Sequence, residues 1–272
     1  MPVVRRVTAI GDNCVDDYVD PVGRRFAGGN AYNVAVQLAR RGFTSEYLGA
    51  VGDDADGRAL RAALRRERVS VERMRVLPGH TAVTRIELRE GGERFFLHED
   101  LGVVADYEPS EEDLDHAAES DFVHGAVIGD VEAFLAMLYR RGARVSYDFS
   151  TNDAPPDLRA LDVAFFSTRP SVAPIELARS ALAAGATAAV VTCGTQGSVA
   201  VEGDTTEEAP AIALHPVDTT GAGDAYISAF LAERLQRSPL RMCMETATRY
   251  AAKTCLHLGG SLRTELHPKA RA

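Results

Sequence analysis

Short apolar runs alternate with helix-spaced segments along almost the whole chain. That rhythm restricts the fold more than any other feature. Val7-Thr8-Ala9-Ile10 reads as a buried strand, and Val34, Ala35, Leu38 and Ala39 then recur at helical spacing within 31–41. Strand-like runs follow at 47–51, 122–124, 144–149, 163–166 and 188–192. Helix-like segments lie at 54–68, from Ser110-Glu111-Glu112-Asp113 onward, and at 131–141, 175–184, 225–235 and 240–258. The short uninterrupted apolar strands suit the interior of a parallel sheet covered on both faces. The expectation is an α/β fold: a doubly wound, mostly parallel sheet flanked by helices, over 1–272 as a single domain. In such sheets a site lies beyond the carboxyl ends of the strands.

Two segments depart from the rhythm. Residues 81–98 alternate polar and apolar around a Gly91-Gly92 turn, and 14–26 form a second β excursion with a turn at Pro21-Val22-Gly23. Segments of about 12–27 and 79–100 are therefore expected to build a small β lid over the site mouth. An edge hairpin without function fits the same pattern. The tail after Arg263 reads as disordered.

Composition narrows the function classes. Of 272 residues 46% are hydrophobic, enough for a sizeable core, and 39 acidic against 30 basic residues give a net charge of -9. Such a surface disfavours nonspecific nucleic-acid or anionic-membrane binding. Cys14, Cys193, Cys243 and Cys255 are scattered, which fits reduced thiols in the cytoplasm better than a disulfide or zinc scaffold. No window approaches the roughly eighteen uninterrupted apolar residues of a membrane span.

The chemistry concentrates in four motifs. Asp218-Thr219-Thr220-Gly221-Ala222-Gly223-Asp224 leads into a helix-like run. Small residues at a helix start let backbone N–H groups converge on an anion, and the helix dipole favours it. An acid inside that nest repels the charge the nest attracts. The conflict resolves if Asp224 takes a proton from a hydroxyl while the nest holds the phosphate that the hydroxyl attacks. A helix start with a dipole-favoured Asp is the plainer alternative.

In Gly28-Gly29-Asn30-Ala31-Tyr32-Asn33 the glycines allow close backbone approach, and the amides suit a polyol. A helix start capped by Asn30 is the alternative. Gly11-Asp12-Asn13-Cys14-Val15-Asp16-Asp17 follows the first strand, where Asp12, Asn13 and Asp16 can grip sugar hydroxyls. Thr192-Cys193-Gly194-Thr195-Gln196-Gly197 offers a glycine turn for a nucleotide. In the lid, Glu87 with Asp17, Glu99 and Asp100 can meet a cationic arm, whereas Arg85 and Arg94 can select an anionic one. His80, His98, His124 and His257 stand isolated and read as structural or minor binding groups.

The order and spacing of these motifs closely resemble the ribokinase, or PfkB carbohydrate kinase, family from Val7 to Gly260. The resemblance implies Asp224 as catalytic base and Gly221, Ala222 and Gly223 as anion hole. It implies Asp16, Gly29 and Asn33, with Gly28 beside them, as sugar ligands, and Thr192, Gly194 and Gly197 as the nucleotide turn. Asp218 and Thr220 fall where several members hold a monovalent cation such as K⁺, with carbonyls near 259–261. ATP with Mg²⁺ would supply the phosphate. Pieces such as Ile10-Gly11-Asp12-Asn13-Cys14-Val15-Asp16 resemble the branch that phosphorylates the 6-hydroxyl of Amadori-type fructosamines.

One departure stands out. The family's usual Asn-x-x-Glu is replaced by Ser167-Thr168-Arg169-Pro170, leaving Asp148 or phosphate-bound waters to place magnesium. Kinases for another sugar or a nucleoside are same-class alternatives, and a sugar-sensing pseudokinase is one of another class. A nicotinamide enzyme would need an absent G-x-G-x-x-G, and no P-loop occurs. An exposed lid edge can pair with a second copy, so a homodimer is expected.

Overall fold

The computed structural model describes residues 5–151, 153–168, 171–261 and 264–266. In chain order the elements begin with β1 (Arg6–Gly11), β2 (Cys14–Tyr18), β3 (Arg25–Gly28), α1 (Asn30–Arg40), β4 (Thr44–Leu48) and β5 (Ala50–Gly52). Next come α2 (Ala55–Arg66), β6 (Arg75–Leu77), β7 (Val83–Leu88), β8 (Arg94–Asp100), α3 (Glu111–Ala118) and β9 (Phe122–Ala126). They continue with α4 (Val131–Arg140), β10 (Val145–Asp148), β11 (Leu161–Ser167), α5 (Pro174–Ala183) and β12 (Ala188–Thr192). The chain closes with β13 (Ser198–Glu202), β14 (Thr205–Ala209), α6 (Ala222–Leu235), α7 (Leu240–Thr254) and β15 (Glu265–Leu266).

Eight strands form the main sheet in the order β14-β13-β12-β11-β10-β9-β1-β4. Every pairing from β4 to β12 is parallel, and β13 and β14 add an antiparallel edge. Alternate side chains feed two apolar layers. Phe165 meets Phe230 of α6 edge-on, while the next residue, Phe166, stacks on Phe149 on the opposite face. Chain order reverses around β1, whose neighbours are β4 and β9, so a crevice opens at its carboxyl end.

A second sheet has the order β15-β3-β2-β7-β8. Both predicted β excursions supply its strands, and their turns fall where expected. The single strand expected through 47–51 breaks at Gly49 into β4 and β5, which belong to different sheets. The last helix ends at Thr254, four residues earlier than expected. Part of the predicted tail instead packs on β3: Glu265–Leu266 pair with it, and the Thr264 carbonyl accepts from Ala27; residues 267–272, with Arg169 and Pro170, lie outside the described residues.

Candidate active site

Asp224 sits in the first turn of α6. Its helix begins after Gly221, whose φ of 72° is a left-handed conformation that favours glycine. The first N–H groups of any helix lack intrahelical partners, so they remain available to an anion. A Cβ on Gly223 would meet nothing within 4 Å, which leaves open space at this helix start. The sequence therefore makes a cradle with an acid at its rim.

Two amides from α1 hold that acid. Asn33 Nδ2 donates to Asp224 Oδ2 at 2.7 Å, and Asn30 Nδ2 donates to Oδ1 at 3.0 Å. Burial, followed by the nearby Asp12 and Asp148 charges, pushes the Asp224 pKa up to about 8 despite the Asn33 bond. A carboxyl poised near neutrality is well matched to accept a hydroxyl proton.

Beside it the two glycines have separate reasons. A Cβ on Gly28 would lie 2.2 Å from the Asp16 carboxylate, and Gly29, at φ 103°, brings its backbone against Asn13 and Asp12. Asp16 is buried, and desolvation raises its pKa to about 7, opposed by the Cys14 thiol bond and by Arg94. Asp12 accepts the N–H groups of Asn30 and Ala31 at 2.8 and 3.1 Å. It, rather than Asn30, secures the start of α1. The Asn13 side chain is buried, and its amide N–H groups donate to Tyr47 Oη and the Ala50 carbonyl, so both its donors are taken within the protein.

Sequence reasoning missed how Asn30 is used. Its amide bridges Asp224 to Asp148 Oδ2, 2.7 Å away, and its oxygen lies 3.0 Å from His124 Nε2. Asp148 also accepts from the Ser150 N–H and hydroxyl. Burial is the main cause that raises its pKa, to about 6. No local pattern announces this cluster, because α1, β9 and β10 are distant in the chain.

The small sheet divides the other candidates by face. Asp16 pairs in register with Thr84, and Asp17 with Arg85. Paired residues share a face and successive ones alternate. Arg85 therefore lies opposite Asp16, where with Asp17, Asp56, His98 and Asp100 it lines a separate cleft of about 420 Å³. Glu87 shares that outer parity and pairs with Arg89. Neither Arg85 nor Glu87 shares the face of Asp16, as a one-residue parity dictates. Asp100 is likewise outward and bonded to His80. Glu99, opposite Thr84, and Arg94, opposite Leu88, are on the Asp16 face. Arg94 Nη1 donates to the Thr219 carbonyl at 2.7 Å.

The Asp218 carboxylate accepts from the Thr220 N–H, the Gly259 N–H and the Tyr18 hydroxyl, at 2.8, 2.8 and 2.5 Å. The Tyr18 hydroxyl also lies 2.9 Å from Thr220 Oγ1. This donor set fits an anchored loop better than a cation held by the Asp218 carboxylate. Thr192 closes β12, and Gly194 and Gly197 follow it, at the same carboxyl end of the strands as Asp148 on β10. Gly194 has open space where a Cβ would be, as a nucleotide turn requires, whereas Gly197 is pressed against the Ala209 carbonyl. Among the described residues no group of three or more carboxylate, imidazole or thiol side chains could cage a metal ion.

Comparison with known proteins identifies the family. The model of the pfkB family carbohydrate kinases matches residues 16–136 and 162–265. The chain belongs to that family. It is 35% identical over 261 residues to a fructoselysine 6-kinase of Shigella flexneri, covering 94% of this chain and 99% of the relative. It is 33% identical to the fructosamine kinase FrlD of Bacillus subtilis, covering 92% and 90%. A ribokinase of Arabidopsis thaliana solved with ribose and ATP superposes with a TM-score of 0.81 over 94% of each chain, at 19% identity. The family carries out phosphoryl transfer to sugar hydroxyls, so this chain is a carbohydrate kinase with the predicted fold. Among the described residues no helix is long and apolar enough to cross a membrane.

Proposed function

We propose that the chain phosphorylates the 6-hydroxyl of a fructosamine such as fructoselysine, using ATP. The observation that carries the chemistry is Asp224, poised by two amides beside an open helix N-terminus. The acceptor hydroxyl would approach Asp224 and lose its proton there. The Gly221, Ala222 and Gly223 backbone would stabilise charge on the transferring phosphoryl group. Asp12, Asp16, Gly28, Gly29 and Asn33 would hold the sugar, with Asp12 acting mainly through α1. Thr192, Gly194 and Gly197 would line the nucleotide. When bound, Mg²⁺ would neutralise phosphate charge, held largely by phosphate oxygens and water.

The fructosamine assignment rests on the two named relatives and on the inner face of the small sheet. Glu99 lies where a cationic arm can be met, and Arg94 where a carboxylate can. We read that sheet as the lid of one kinase domain spanning the chain, working in the cytoplasm where ATP is supplied. A K⁺ ion near Asp218 and Thr220 would be met by main-chain carbonyls, and exchanging K⁺ for Na⁺ in the assay tests for it. Phe95, Phe96 and Leu97 are exposed on the sheet's edge strand, β8, so a second copy is proposed to pair there. A monomeric mass by light scattering would remove that dimer.

Coupled ADP release over a substrate panel tests the activity. The expected result is kcat/KM for fructoselysine or a related fructosamine well above that for fructose, ribose or a nucleoside. Preference for any of the latter would leave a carbohydrate kinase of different specificity. Sugar binding without turnover of any panel member would favour a sensing role.

A further inference from the structure

His124 lies in β9 and is 2% exposed, yet it sits in a chain of hydrogen bonds rather than an apolar packet. Its Nδ1 is 2.9 Å from Ser146 Oγ on β10, and its Nε2 is 3.0 Å from Asn30 Oδ1 on α1. Burial drives its pKa down to about 3, so at neutral pH the ring is uncharged and carries one N–H. An amide oxygen only accepts, which assigns the ring hydrogen to Nε2 and leaves Nδ1 to accept from the Ser146 hydroxyl. The Asn30 amide then has a fixed direction. Its oxygen turns to His124, and both its N–H bonds turn to carboxylates, Asp148 and Asp224. A flipped amide would set its oxygen against those two acids.

We propose that His124 is a positioning residue for phosphoryl transfer: it locks the Asn30 amide so that Asn30 and Asn33 together aim the Asp224 carboxylate at the acceptor hydroxyl. The inference rests on Asp224 as the base. Among the described residues, the groups that act most strongly on Asp224 form a small set: Asn30 and Asn33 from α1, Asp12 after β1, Asp148 from β10 and Arg94 from β8. Of these, Asn30 is the one whose donor direction depends on a further side chain. Burial obliges any histidine to satisfy its ring nitrogens; here the partner of Nε2 is the amide that holds Asp224.

His124→Phe keeps a ring of similar size and deletes the N–H. The expected result is a kcat lower by about tenfold, less than the roughly 10²–10⁴-fold of losing the base itself, with KM for ATP unchanged. The acid limb of kcat/KM should also move to higher pH by about half a unit or more, because a donor to the carboxylate is lost. His124→Gln, which restores an N–H toward Asn30, should recover most of both. A folded Phe variant with an unmoved acid limb overturns the proposal, as does a loss of kcat that Gln fails to rescue. Should the Phe variant not fold, long-range ¹H–¹⁵N spectra of the wild-type protein decide. A neutral Nε2–H ring from pH 5 to 8 supports the lock, and an Nδ1–H ring or a titrating one refutes it. Full turnover by Asp224→Asn would remove the base itself, a failure separate from these.

Discussion

The floor of the site and the inner face of the small sheet teach different lessons about the same chemistry. On the floor, function is tied to element ends: Asp224 lies in the first turn of a glycine-rich helix start, and Asp12 lies just past the first strand. Such positions are fixed by backbone features that the sequence spells out. On the small sheet, function depends on which way a strand residue points. A shift of one residue exchanges the two faces. Arg85 and Glu87 looked like ligands by charge and proximity, yet Arg94 and Glu99 hold the inward positions.

The largest expected effect breaks the floor and leaves the sheet intact. Asp224→Asn should lower kcat by about 10²–10⁴-fold with nucleotide binding retained, and a variant keeping half of wild-type kcat would refute the base. The same change has a stability signature. The folded-state pKa is near 8 and the unfolded one near the ordinary value of 3.8. Between those values the folded protein keeps a proton that the unfolded chain has released, so this group's contribution falls as pH rises through the window. The difference in Tm, variant minus wild type, should therefore grow from pH 5 to pH 8.5. Wild-type kcat/KM should rise over the upper part of that range as the base ionises. Gly223→Val complements it: the added side chain meets empty space in the free protein, so Tm should hold while turnover collapses. Wild-type rates in that variant would show that no phosphate approaches there.

The contrast also explains how far the sequence could be read. The main sheet, its helices and the anion cradle were legible because period, caps and small residues act locally. Ser110, for example, forms the capping box its sequence announces, with Asp113. That Asn13 donates to Tyr47, 34 positions away, could not be read from its acidic neighbours. His124 could not be paired from sequence, since Asn30 is 94 residues distant and Ser146 reaches it only through strand register. The glycine pair was recognised, but that Gly28 makes room for Asp16 emerges only when β2 and β3 align.

The smallest expected effect is the sharpest test of the two sheet faces. Arg94 and Glu99 are exposed in the open cleft, where a charge contact contributes about 0–1 kcal/mol, and more once solvent is excluded. Neutralising either, as Arg94→Gln or Glu99→Gln, should lower kcat/KM for a fructosamine by roughly five- to twentyfold. Free fructose should change less with Glu99→Gln, since it has no cationic arm to lose. Arg94→Gln should touch both substrates, because the guanidinium also braces the Thr219 carbonyl beside the cradle. Arg85→Gln and Glu87→Gln should stay within about twofold for every substrate, as outward charges at separations screened by water. Equal losses from the inner and outer pairs would mean that the sheet closes in another orientation, or that a partner copy turns its outer face into the site. Measuring all four variants on fructoselysine and fructose separates those cases, because a partner's contribution would also make the outer-pair losses depend on protein concentration.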